Sequence, residues 1–192
     1  MNWKLIFNPF SKFSEKQLLI FGIAITFLGS FIGYFLGLTY DGVFDVHQSE
    51  VTFSQSILEN IINLFSVFLV LFILGKIIYP KTRIVDVFNI ATVSRFPIYL
   101  VTFIASSPLL ERIGKQILEN KDHLEKFQLK PLDLIMLIGI SCVMMLLLAY
   151  SIVLLVNGFR TSSNVKKWQY YVYFTIALLV AEIISKSLIQ II

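Results

Sequence analysis

The sequence predicts an all-α bundle of membrane-crossing helices, and three observations carry that reading. First, 57% of the 192 residues are hydrophobic and 15% are charged, where a soluble domain carries about 45–50% and roughly 25%. A chain this small cannot hide that surplus from water, because small domains bury a smaller share of their surface. The mean hydropathy of +0.80 points the same way. Second, five apolar segments each approach the roughly 20 residues that a helix needs to cross a bilayer. Third, alternation of the kind found in membrane strands is nowhere sustained. A soluble enzyme, a secreted disulfide scaffold and a disordered tail are thereby excluded.

The whole chain, 1–192, reads as one integral-membrane domain with spans at about 18–38, 57–79, 87–110, 134–157 and 168–192. Leu18 to Leu38 carries no charge, is too long for a signal-peptide core and has no small-residue cleavage site behind it. The second span closes at Pro80. The third is interrupted by Arg95 and Pro97, the fourth is uncharged, and the fifth carries Glu182 and Lys186. Ahead of the first span, Trp3, Ile6, Phe7, Phe10 and Phe13 are mixed with lysines, as in a segment lying on a membrane surface. Between the third and fourth spans, Ile113, Ile117, Leu124 and Phe127 stand among charges and suggest a surface helix. Trp168, Tyr170, Tyr171 and Tyr173 form an aromatic collar at the start of the fifth span.

Orientation follows from lysine and arginine, which favour the cytoplasmic side. Lys4, Lys12 and Lys16 precede the first span; Lys76, Lys81 and Arg83 follow the second; Arg160, Lys166 and Lys167 follow the fourth. The loop from Asp41 to Asn60 has none. The N-terminus is therefore expected in the cytoplasm and, with five crossings, the C-terminus outside. The connection from Glu111 to Asp133 opposes this with five basic residues, balanced by five acidic ones. A third segment that dipped in and returned would suit those charges better, giving four crossings. Its 24-residue length favours a full crossing, so five spans are preferred.

The net charge of +4 and pI near 9.1 do not indicate nucleic acid, because the basic residues sit in short clusters between apolar runs. Cys142, the single cysteine, lies inside an apolar run and can form no intrachain disulfide. Asp41, Asp45 and His47 cluster in one loop, but their spacing matches no closed metal site, and a solvated loop is expected. No nucleophile stands beside a base in any recognised pattern. Catalysis, a metal and a cofactor are accordingly not expected.

The candidate functional residues are intramembrane. Gly29, Gly33 and Gly37 recur every fourth residue on one face, a spacing that lets helices approach closely in lipid. Ala177, Ala181 and Ser185 give the fifth span a similar face; the two faces can pack on each other or form a homodimer seam. Arg95 carries a charge that costs about 2.5–3.5 kcal/mol on insertion scales, so it should face protein, water or a headgroup. At roughly 12 Å past Val87 it is within snorkelling range of the near headgroups. Pro97 should free the Val93 carbonyl and kink the helix there, with the Thr92 and Ser94 hydroxyls placed to compensate. Glu182 and Lys186, four apart, suit an ion pair. Glu182 can also act as a proton relay or bridge to Arg95, and Glu59 and Asn63 are alternative partners for Lys186.

Several runs resemble those of bacterial members of the Yip (Ypt-interacting protein) family: Asn8-Pro9-Phe10 in the tail, Lys81-Thr82-Arg83-Ile84-Val85-Asp86-Val87 leading to Ser94-Arg95-Phe96-Pro97, and Asn157-Gly158-Phe159-Arg160. The resemblance implies five spans with a cytoplasmic N-terminus. Eukaryotic relatives associate with small GTPases through a longer N-terminal region, but this chain has about 17 residues there and lacks the Asp-Leu-Tyr-Gly-Pro-type motif, so that role does not transfer. The short lysine-bearing tail suggests the bacterial inner membrane. The expected role is a non-enzymatic multipass protein that organises partner proteins or lipids, with membrane lipids and a membrane protein or a second copy as partners. The alternative is a small transporter or channel subunit with a polar path at Arg95, Glu182 and Lys186.

Overall fold

The computed structural model describes residues 3–121 and 129–191. Its helices are α1 (Trp3–Phe7), α2 (Glu15–Leu36), α3 (Phe53–Ile78), α4 (Ile84–Val93), α5 (Phe96–Ala105), α6 (Pro108–Glu119), α7 (Pro131–Ser162) and α8 (Gln169–Ile189), with a 3-10 turn at Pro9–Ser11. Five stretches are long and apolar enough to cross a membrane: α2, α3, the pair α4–α5, α7 and α8.

Local chemistry sets their ends. Ser14 and Thr52 each form a capping box, accepting from the amide of the glutamine three residues on while that side chain accepts from the cap amide. These caps start α2 and α3 about one turn earlier than hydropathy alone places them. Gly37 ends α2 in the left-handed conformation, φ +64°, with its N–H bonded to the carbonyls of Gly33 and Tyr34.

The third segment runs the length of the bundle. Near its start Asn89 Nδ2 donates to the Glu15 carbonyl at 3.2 Å; further on, Tyr99 lies against Gly29. It is also the most enclosed span, with α4 and α5 meeting at Ser94 and Arg95. Pro97 falls in the first turn of α5, where a missing N–H leaves no bond unmade. The hydroxyl expectation needs correcting. Thr92 bonds back to the Phe88 and Asn89 carbonyls, and Ser94 Oγ has no partner among the described residues. A serine from the fourth span, Ser151, donates to the Ser94 carbonyl at 2.6 Å instead.

One end of the bundle gathers the N-terminal segment, the turn after α3 and the turn after α7, and is called here the basic end. The other carries the α2–α3 loop, α6 and the end of α8. α6 is the expected surface helix, burying Ile113 and exposing Ile117; Leu124 and Phe127 lie outside the described residues. Trp168, Tyr171 and Tyr173 are exposed where α8 begins. α8 packs along α3, and their apolar residues, including Val67, Leu71, Ala177 and Ala181, form the main core with Val87, Ile90 and Phe159.

Candidate functional site

The α2–α3 loop is the centre of the polar chemistry. Its acidic composition and lack of cations suggest a solvated loop, but it folds into the bundle. Leu38, Tyr40 and Val43 are buried, and Leu38–Thr39 pairs antiparallel with His47–Gln48. Backbone placed among helices needs a partner for each N–H and C=O. Polar side chains from three spans provide them.

Tyr40 is held on both sides. Its N–H donates to Glu59 Oε2 at 3.0 Å, and its carbonyl accepts from Asn63 Nδ2 at 2.8 Å. The next anchor is the peptide bond between Val43 and Phe44. Arg95 Nη1 donates to the Val43 carbonyl at 3.0 Å, and the Phe44 N–H donates to Glu182 Oε2 at 3.2 Å. Thr39 Oγ1 adds a bond to Glu59 Oε1 at 2.8 Å.

Arg95 is 3% exposed. Besides Val43, it donates through Nη2 to Asn60 Oδ1 at 3.3 Å, and its Cζ lies 5.8 and 5.7 Å from the rings of Tyr40 and Tyr99. Both distances suit cation–π attraction. Asn60 uses all its amide capacity: Oδ1 accepts from Arg95 and Tyr99, and Nδ2 donates to Ser30 Oγ and the Ser56 carbonyl. Tyr40 Oη donates to the Gly29 carbonyl at 2.7 Å and lies 3.2 Å from Thr102 Oγ1. Burial pushes the Tyr40 phenol above its ordinary pKa, so it stays neutral.

These contacts revise the expectations for the charged residues. Arg95 does not snorkel toward headgroups at the basic end; its guanidinium points into the opposite half and is enclosed by protein. It does not bridge to Glu182 but meets it across one peptide bond. Lys186 pairs with Asp45 at 2.7 Å and more loosely with Glu182 at 3.5 Å, with all three side chains partly exposed. Glu59 and Asn63 serve the loop rather than Lys186, and Asn63 also accepts a hydrogen bond from Ser185. Asp41, Asp45 and His47 bring one ligand atom each within 4.8 Å of one another, but the Lys186 ammonium already sits on Asp45.

The small-residue faces also have different partners from those expected. A Cβ on Gly29 would enter the Tyr99 ring, and one on Gly33 would meet the Tyr40 ring at 2.6 Å. The glycine face therefore admits two aromatic rings from the third span and the loop. Ala177, Ala181 and Ser185 face α3, so the first and fifth spans do not use these faces on each other. Gly37 is a turn residue, with open space where its Cβ would be. Gly22, absent from the glycine pattern singled out in the sequence, lies against Thr92. Tyr40, Asn60 and Tyr99 were not singled out either. Two polar residues one helical turn apart, Glu59 and Asn63, both inside an apolar segment, were the available signal for a buried polar centre.

Fold and site together define a class: an all-α bundle of five helices long and apolar enough to cross a membrane, with its polar centre closed by its own loop. Compared with known proteins, the chain matches no family model, no curated protein and no solved structure.

Proposed function

We propose that this chain is a non-enzymatic multipass protein of the bacterial inner membrane, of Yip type, that organises lipids or partner membrane proteins through its helix faces. The N-terminus is cytoplasmic and the C-terminus outside, as the distribution of lysine and arginine favours. The observation that carries the reading is the engagement of Arg95, Glu59, Asn63 and Glu182 by backbone groups of one loop. Side chains so engaged close the bundle instead of lining a route for a solute. Apolar surface is open to outside contact, above all on the first half of α7, where Leu134, Ile138, Met145 and Leu146 are exposed.

Two measurements on the full chain test this. Reconstituted in liposomes, it should raise the leak of ions and small anions no further than empty vesicles do. A photo-crosslinking residue at Leu146 should give discrete adducts with lipid, a membrane protein or a second copy in native membranes. A flux that Arg95→Gln abolishes while the protein stays folded would overturn the proposal in favour of a transporter.

A further inference from the structure

At the basic end, the N-terminal segment covers two adjoining cavities, one apolar and one that mixes apolar and acidic groups. Asn8 Nδ2 donates to Thr161 Oγ1 at 3.1 Å, Asn157 Nδ2 to the Phe7 carbonyl at 2.8 Å, and Tyr150 Oη to the Ile6 carbonyl at 2.9 Å. Phe10 lies so close to Gly158 that a Cβ there would stand 2.8 Å from its ring. The runs Asn8-Pro9-Phe10 and Asn157-Gly158, far apart in sequence, thus form one latch.

Behind the latch, between α2, the α4–α5 break and α7, is a cavity of about 440 Å³ whose walls include Leu5, Phe13, Phe21, Val93, Phe96 and Leu154. Its size falls within the about 300–1,000 Å³ usual for small-molecule sites, and its apolar walls suit a hydrocarbon chain. Phe13 and Leu18 also line a second cavity, about 130 Å³, of mixed character, where Glu15, Asp86, Asn89, Thr161 and Ser162 stand opposite Phe10 and Ile90.

This smaller cavity has unmet demand for a donor. Asn89 is 1% exposed, and its Oδ1 has no hydrogen-bond partner among the described residues. Among the described side chains, Glu15 and Asp86 share one cation, Arg83, at 2.5 and 4.0 Å. Two carboxylates against one guanidinium leave a negative charge beside an orphaned acceptor. A positively charged group bearing N–H donors satisfies both. Lys12 and Lys16 are exposed at the same end of the bundle, next in sequence to Phe13 and Gln17 of the larger cavity's wall.

From this complementarity we infer that the paired cavities bind one phospholipid with a primary-ammonium headgroup. The ammonium enters the acidic cavity, the phosphate lies at Lys12 and Lys16, and one acyl chain runs against Val93 and Leu154. The inference deepens the lipid half of the proposed function and rests on that reading in placing the chain in a bilayer.

The test uses the full chain in nanodiscs containing phosphatidylethanolamine with a diazirine on one acyl chain. Val93 and Leu154 are 4% and 2% exposed, out of reach of lipid that merely surrounds the protein, whereas Ile20 and Phe35 at 59% and 74% are open to any lipid. Adducts at Val93 or Leu154 are expected, several-fold more than from phosphatidylcholine or phosphatidylglycerol bearing the same chain. Asp86→Asn should erase that preference without changing adducts at Ile20 and Phe35 or the thermal midpoint. Lys12→Gln, at an exposed position, is the second variant and lowers the buried adducts in the same direction. Adducts confined to exposed positions, or equal buried adducts from the three headgroups, would overturn the inference. Neither flux nor a protein partner enters the readout, so it fails independently of the proposed function.

Discussion

Arg95 and Glu182 hold opposite sides of one peptide bond: the guanidinium donates to the Val43 carbonyl at 3.0 Å, and the carboxylate accepts from the Phe44 N–H at 3.2 Å. A peptide's dipole has its negative end at the oxygen and its positive end at the hydrogen. Each charge therefore meets the end it favours, and two residues 87 positions apart are joined through backbone that neither supplies.

Arg95→Ala leaves the Val43 carbonyl and Asn60 Oδ1 each short of a donor. A stability loss of about 2–3 kcal/mol is expected, in line with hydrogen bonds to charged groups, and read as a lower thermal midpoint in detergent. Glu182→Ala should also destabilise, whereas Glu182→Gln keeps an oxygen for the Phe44 N–H and should lose less. The double variant Arg95→Ala, Glu182→Ala should lose less than the two single losses added, by about 0.5–3 kcal/mol of coupling. Strict additivity would contradict the shared anchor.

The fold class and all five long helices were legible because hydropathy and length report directly on whether a helix is able to cross a membrane. The charged residues were legible as candidates because each is costly in an apolar span. Their partners were not, because those partners are backbone groups. A carbonyl at Val43 or an amide at Phe44 leaves no mark in side-chain composition, so an acidic loop looked like one left in water. The same blindness sent Gly29 and Gly33 toward another helix, when what they admit is a pair of tyrosine rings.

Glycine substitutions separate close approach from turn geometry. Gly29→Ala should destabilise by about 1–3 kcal/mol, as overpacking does, because its Cβ meets the Tyr99 ring. Gly37→Ala has open space around it but must hold φ +64°, and should cost about 1–2 kcal/mol. Gly139→Ala, in the open middle of α7, should be neutral or slightly stabilising. Thermal midpoints of the three variants check the order.

Ser151 donates to the Ser94 carbonyl at the α4–α5 break, at 2.6 Å. Ser151→Ala should cost about 1–3 kcal/mol, the penalty for a buried acceptor left unmet, and should speed amide exchange in the turn around Arg95. A Ser151→Ala protein with unchanged exchange there would show that the break does not depend on the fourth span.

Tyr40 makes the folded state sensitive to alkali. Its phenol titrates above the ordinary value near 10 because burial disfavours the phenolate. The stability it contributes is fully present below about pH 10 and falls as pH rises through the folded value. Ultraviolet titration of folded wild type and Tyr40→Phe should count the same number of ionising phenols, with one more appearing in wild type on unfolding.

The enclosure of the α2–α3 loop is tested most directly by labelling Val43→Cys with a maleimide in open membranes, after replacing the exposed native thiol by Cys142→Ser. Val43 is 2% exposed, and Glu50→Cys, at an exposed position of the same loop, is the reference. The Val43→Cys thiol is expected to stay unreacted while the reference labels fully, and to become reactive when Arg95→Ala is added. Labelling of Val43→Cys at the reference rate with Arg95 intact would contradict the account.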